Sequence, residues 1–137
     1  MAQRKALLDT DILSAVMRGN PAVTARARAY LAEHAALSFS IITRYEVLRG
    51  LKAKNATTQL QAFDHFCETC HILPLTDEIV IRGADIYAAL KQRGEPIGDA
   101  DILIGASALV EGLIVVTNNE DHFRRIPGLD VDNWLKS

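Results

Sequence analysis

The chain alternates between short apolar runs and longer stretches in which apolar residues return every three or four positions. Ala6-Leu7-Leu8-Asp9 is apolar and closes on an acid, which predicts a buried strand. Leu37–Ile41, His71–Leu75 and Leu113–Thr117 read as three further strands, the last being the most continuous. Between them the spacing is helical. Asp11 stands where it can cap a helix over Ile12–Arg18 that Gly19 stops. Asn20-Pro21 supplies the cap and first residue of a second helix reaching about His34. Helices are predicted from Ile42 to about Lys54 and over Ala56–Cys70, the latter with Leu60, Phe63, Cys67 and Cys70 on one apolar stripe. Thr76, followed by Asp77 and Glu78, opens a helix to Arg93 that Gly94 closes. A helix from Asp99 to about Glu111, stopped by Gly112, precedes the last strand, and a short helix follows Asn118-Asn119.

Strands separated by helices require crossover connections, and a parallel sheet covered on both faces satisfies them with the fewest assumptions. The expectation is therefore an α/β fold. With 137 residues, no repeat and no linker-like stretch, one domain over residues 1–137 is expected.

Composition narrows the class further. A content of 49% apolar and 23% charged residues is that of a chain with a packed core, which excludes a disordered segment. The longest apolar run, Ile102–Val110, is far short of the ~20 residues that span a bilayer. Two cysteines and no charged-then-apolar leader argue against a disulfide framework and give a cytoplasmic location as the expectation. Charge is split: residues 1–60 carry nine Lys/Arg against four Asp/Glu, whereas residues 61–137 carry six against thirteen. Such a split fits either a basic face for a polyanion beside an acidic cation site, or ordinary solvated helix faces.

In open parallel sheets, ligands bind beyond the C-terminal strand ends. Asp9 ends the first strand there, and Asn118-Asn119 follow the fourth. Glu46 lies a turn inside the helix after the second strand, and Asp99 and Asp101 open the helix before the fourth. Carboxylates gathered on one rim repel unless a hard cation sits between them, and Mg²⁺ or Mn²⁺ suits such ligands. Asp99 and Asp101, two apart, do not share a helix face, so one serves a cation while the other caps or holds a water. Asp11, Asp99 and Asp121 otherwise read as caps or first-turn partners of a helix dipole.

These residues resemble a known family, the PIN-domain ribonucleases, and within it the VapC-type toxins of toxin–antitoxin pairs. The likeness runs from Leu7 to Trp134. It rests on LLDTDIL with Asp9, on Ser40, Thr43, Glu46 and Gly50 in S-x-x-T-x-x-E-V-x-x-G, on PIGDADILIGASA with Asp101, and on GLIVVTNNEDHF. Four motifs in that order make the resemblance specific. It implies a three-layer α/β/α sandwich around a mostly parallel sheet, with Asp9, Glu46 and Asp101 as catalytic and metal-holding residues for Mg²⁺ or Mn²⁺. Two departures stand out: Asp11 replaces the usual Asn, and Asn119 occupies a place often held by Asp. Asp99, Asn119, Asp121 and Thr117 are therefore the candidates for completing the site.

The resemblance also implies hydrolysis that leaves 5′-phosphate and 3′-hydroxyl ends, a homodimer, and a small VapB-type antitoxin laid over the active-site groove. PIG, VTNN and a Trp near the C-terminus are similar to the branch that cuts initiator tRNA. For the RNA backbone, Arg44, Arg49 and Lys52 near Glu46 are the expected contacts, with Arg124 and Arg125 as further cations. His34, His65, His71 and His122 read as surface or interface residues.

Three rival readings compete. Asp9-Thr10-Asp11 after a strand resembles the start of haloacid-dehalogenase-type phosphatases, but Leu13 stands where Thr or Val is expected. Cys67-Glu68-Thr69-Cys70-His71 has the spacing of a c-type haem attachment, yet both cysteines fall on an apolar stripe. A receiver domain would need a lysine after the late strand, where Thr117-Asn118-Asn119 stand, whereas Asn119 leaves open an inactive RNA-binding relative of the nucleases.

Overall fold

The strand Ala6–Leu8 (β1) is wholly buried and forms the middle of a five-stranded, all-parallel sheet. The computed structural model describes residues 3–136. On one side of β1 lie Ser38–Ser40 (β2) and then His71–Leu73 (β3); on the other lie Ile114–Val116 (β4) and Val131–Asp132 (β5). The order β3-β2-β1-β4-β5 means the chain builds outward in one direction, then returns to the centre and builds in the other. β4 is thus hydrogen-bonded to β1 in the register Ala6–Ile114, Leu7–Val115, Leu8–Val116.

Helices cover both faces, as three layers require. Thr10–Met17 (α1), Pro21–Leu31 (α2), Ile41–Ala53 (α3) and Thr57–Cys67 (α4) contribute to one core, which receives Ala6, Leu8, Phe39 and Val116 from the sheet. Asp77–Gln92 (α5), Asp99–Glu111 (α6) and Glu120–Arg124 (α7) contribute to the other, which receives Leu7, Leu73 and Val115. Adjacent strand residues enter opposite cores because side chains alternate across a strand. No helix among the described residues is long and apolar enough to cross a membrane.

Most predicted helix signals act as expected. Asn20 caps α2 by accepting from the Val23 N–H, Thr76 caps α5 by accepting from Ile79 N–H, and Gly112 ends α6 at φ 70°. Four details differ. The cap of α1 is Asp9, not Asp11, because the chain turns directly at the strand end and the Asp9 carboxylate accepts from Thr10 N–H at 2.8 Å. Gly98, not Asp99, is the N-cap of α6, leaving Asp99 exposed in the first turn. Cys70 lies beyond the end of α4, and both thiols are only partly buried, so Phe63 alone of the expected stripe is in the core. The strand β5 has no apolar run to announce it.

Gly105, in the middle of α6, allows a close approach to the segment after α7. A Cβ there would stand 2.4 Å from the Ile126 Cδ1, which is itself in the core. Ala would require only that methyl to swing aside and would recover helix propensity. Gly105→Val adds branching against the same neighbour, and a loss of about 1–3 kcal/mol of stability is expected in urea denaturation.

Candidate metal and nuclease site

The point where strand order reverses lies between β1 and β4, and open parallel sheets hold their ligand crevice beyond the C-terminal strand ends at such a point. Asp9 sits at the end of β1 and Thr117 at the end of β4. Asp9 is only 6% exposed, and both of its oxygens accept hydrogen bonds, Oδ1 from Thr10 N–H and Oδ2 from the Thr117 hydroxyl at 2.7 Å. The Thr117 hydroxyl accepts in turn from Asn119 N–H at 2.9 Å, which turns its own proton towards Asp9.

Glu46 comes to this rim from α3. Its Oε1 accepts from the Thr10 hydroxyl at 2.5 Å, and the Thr43 hydroxyl oxygen lies 3.2 Å from that of Thr10. Thr10 therefore links the carboxylate of α3 to the turn that carries Asp9. From the first turn of α6, Asp101 presents Oδ2 to His122 Nδ1 at 2.9 Å and to the Asn119 amide at 3.4 Å. Asp11 accepts from Asn118 N–H at 3.0 Å through Oδ2, while its buried Oδ1 has no hydrogen-bond partner.

The charges act on one another. Burial, then the charge of Asp11, push the Asp9 carboxyl up to about 7, against the hydrogen bonds from Thr117 and Thr10 and with a smaller push from Asp101. Burial also raises Asp11, partly offset by the Asn118 and Ile12 N–H groups, and Asp101 raises it further. A buried carboxylate oxygen with no donor, among acids that repel, is a donor set suited to a hard cation. Among the described residues no three His, Cys, Asp or Glu side chains converge as a ready-made shell. Mg²⁺ does not need one, since it keeps several waters and takes one or two carboxylates.

The remaining expected residues divide. Asn119 caps α7 by position and reaches Asp101, whereas Asp121 is exposed and faces an open groove of about 460 Å³ lined with Arg93, Arg124 and Arg125. Asp99 makes no contact with the rim acids. Arg44 is turned towards α4: it donates to Cys67 Sγ at 3.1 Å, pairs with Asp64 at 3.5 Å and lies over the Phe63 ring. Its guanidinium is a staple between two helices. Arg49 is 59% exposed, 3.7 Å from Glu46 Oε2 and stacked on Tyr45, while Lys52 is exposed further along α3. His122 is the residue that sequence reasoning missed, because its partner Asp101 stands 21 residues away on another element.

Glu120 fastens this corner from behind. Lys136, the Asn133 amide and Arg124 surround its carboxylate and hold it at about 2, tying α7 to the chain beyond β5.

Comparison with known proteins agrees with this geometry. The PIN domain family profile matches residues 6–129. The chain is 28% identical over 131 residues to ribonuclease VapC1 of Haemophilus influenzae, covering 95% of this chain and 98% of that protein. It is 30% identical over 131 residues to the tRNA(fMet)-specific endonuclease VapC of Shigella flexneri, with coverage of 95% and 98%. Among solved structures, the DNA-bound VapBC of Salmonella typhimurium contains a chain that superposes with a TM-score of 0.84 at 28% identity, over 96% of this chain and 99% of that one.

Proposed function

The chain belongs to the PIN-domain family, and from that premise we propose that it is a VapC-type toxin, a divalent-metal-dependent endoribonuclease of the cytoplasm. The observation that supports this reading is the buried Asp9 at the point of strand reversal, whose charge Asp101 feels and whose turn Thr10 links to Glu46. In our reading residues 1–137 act as one nuclease domain, and Asp9, Glu46 and Asp101 are its catalytic and metal-holding residues, with Mg²⁺ or Mn²⁺ as the ion. When bound, such a cation supplies Lewis acidity to a phosphodiester and lowers the pKa of a water ligand.

The protein's own residues set up the rest. Thr117 and the α1 N-terminus hold the Asp9 oxygens in place, and Thr10 fixes Glu46 Oε1 so that Oε2 remains towards Arg49. Arg49 and Lys52 extend positive charge from the rim along α3, where an RNA backbone would run. Arg44, which also packs α3 on α4, is a third candidate for the RNA backbone in this reading.

The substrate is RNA, and the similarity to a tRNA(fMet)-specific endonuclease favours initiator tRNA. Cutting it would stop translation at its first step. A cognate VapB-type antitoxin would neutralise the enzyme. A groove of about 390 Å³ between α1, α3 and α4 opens beside the site, with Met17, Val47 and Leu51 as its apolar lining and Arg18 and Lys54 as cations, and offers a bed for such a chain. Exposed Ile41 and Tyr45 on α3, and Val80, Ile81 and Tyr87 on α5, are apolar surface available for the homodimer.

The test is incubation of antitoxin-free protein with total tRNA, with and without Mg²⁺ or Mn²⁺. Discrete fragments bearing 5′-phosphate, made only with metal, are expected; no cleavage by folded protein with either ion would overturn the reading. Arg49→Ala should weaken RNA binding across sequences and reduce the slope of log affinity against log salt by about 1. An unchanged slope would remove Arg49 from the backbone contacts.

A further inference from the structure

The side chains of Asp101, Asn119 and His122 form a small triangle. His122 Nδ1 lies 2.9 Å from Asp101 Oδ2 and 2.8 Å from the Asn119 amide group, which is 3.4 Å from the same Oδ2. With the amide nitrogen at its corner, the set of hydrogen bonds does not close. One imidazole nitrogen cannot both donate a proton to Asp101 and accept one from the Asn119 NH₂. A half-turn of the amide exchanges its nitrogen for its oxygen, which a protonated Nδ1 can share with Asp101; in the tautomer with Nδ1 unprotonated, all three corners are lone-pair donors.

The corners are then a carboxylate oxygen, an amide oxygen and an imidazole nitrogen, with edges of 2.9, 2.8 and 3.4 Å. Two donors at right angles around a cation at ~2.1 Å stand roughly 3.0 Å apart. The triangle therefore has the size of one face of an octahedral shell. It is also accessible, since the His122 side chain is 40% exposed and that of Asp101 is 22%. We propose that Asp101, Asn119 and His122 form a mixed oxygen–nitrogen face that binds a first-row transition-metal dication in preference to Mg²⁺.

The chemistry supports this order. Imidazole favours transition ions over Mg²⁺, whose preferred partners are carboxylate, carbonyl and water. A site made only from Asp9, Glu46 and Asp101 would favour transition ions less, since only the imidazole adds a nitrogen donor. His122 thus sets which ion the enzyme takes when both are present. The inference rests on Asp101 being a metal ligand, as proposed above.

The probes are Mn²⁺, Co²⁺ and Mg²⁺, each added alone to the metal-free full chain, with affinities from calorimetry and spin-echo spectra of the Mn²⁺ form. At least a tenfold preference for Co²⁺ over Mg²⁺ is expected, with ¹⁴N modulation from a directly bound imidazole on Mn²⁺. His122→Ala and His122→Asn should both lose the modulation and lower the ratio of Co²⁺ to Mg²⁺ affinity several-fold. The Asn variant still offers Asp101 a hydrogen bond, so it guards against a result due to misfolding or lost positioning. Mn²⁺ binding without ¹⁴N modulation, or a Co²⁺-to-Mg²⁺ affinity ratio that neither variant lowers, would make His122 a hydrogen-bond partner only and overturn the inference alone. No uptake of any of the three ions would overturn it together with the metal-dependent reading of the enzyme.

Discussion

Asp9→Asn is expected to reduce RNA cleavage by at least ~100-fold, since even the outer partners of metal ligands are worth ~10–100-fold. The same substitution should make the metal-free protein more stable at alkaline pH. The Asp9 carboxyl titrates near 7 in the folded chain and near 3.8 when unfolded. Between those values the folded state holds a proton that the unfolded state has released, so stability falls as pH rises from about 4 to about 7. Above 7 the full cost of the buried charge is present, on the order of 2–4 kcal/mol. Asn carries no charge, and its amide oxygen can still accept from Thr10 N–H and cap α1. Some of the gain is offset, by about 1 kcal/mol, where the Thr117 hydroxyl loses its acceptor. Thermal unfolding in EDTA at pH 5 and pH 8 reads the difference. A gain that is larger at pH 8 is the expected outcome, and an equal shift at both would contradict the raised titration of Asp9.

The largest effect on folding is expected from Trp134→Ala. This side chain is 2% exposed and fills the core under β1 and β4, with its ring 5.7 Å from that of Tyr30. Tyr30 in turn accepts from Ala6 N–H at 3.0 Å, so the two rings support the start of the central strand. Removing a fully buried Trp costs about 3–5 kcal/mol, a large part of the 5–15 kcal/mol by which domains are ordinarily stable. The urea midpoint should fall accordingly. Trp134→Phe, which keeps most of the volume, should fall less, and equal losses for both would mean that cavity formation is not the cause.

Local signals in the sequence located the elements well where a residue acts on its own neighbourhood. Asn20, Thr76 and Gly112 cap or end helices through bonds within a turn, and the span Asp99–Glu111 needed nothing else. Asp9 and Asp101 were legible for the same reason: each stands at an element boundary beside a motif. What could not be read depends on partners far away in the chain. β5 is two residues long and exists because β4 offers it an edge. Asp11 looks like a cap until Asn118, 107 residues on, supplies the N–H it accepts. Arg44 reads as a substrate contact from its place near Glu46, and its pairing with Asp64 and Cys67 on α4 shows only in the fold. His122 gains a role only when α6 and α7 bring it to Asp101.

The placing of β4 beside β1 has a consequence for synthesis. The hydrogen bond from Thr117 to Asp9 closes a loop of 108 residues, so neither the crevice nor its acid cluster can exist while the later part of the chain is still inside the ribosome. Chains emerge at ~5–20 residues per second, which leaves the first strand waiting seconds for its central neighbour. The rim of acids is therefore assembled only once the final quarter of the polypeptide has been made.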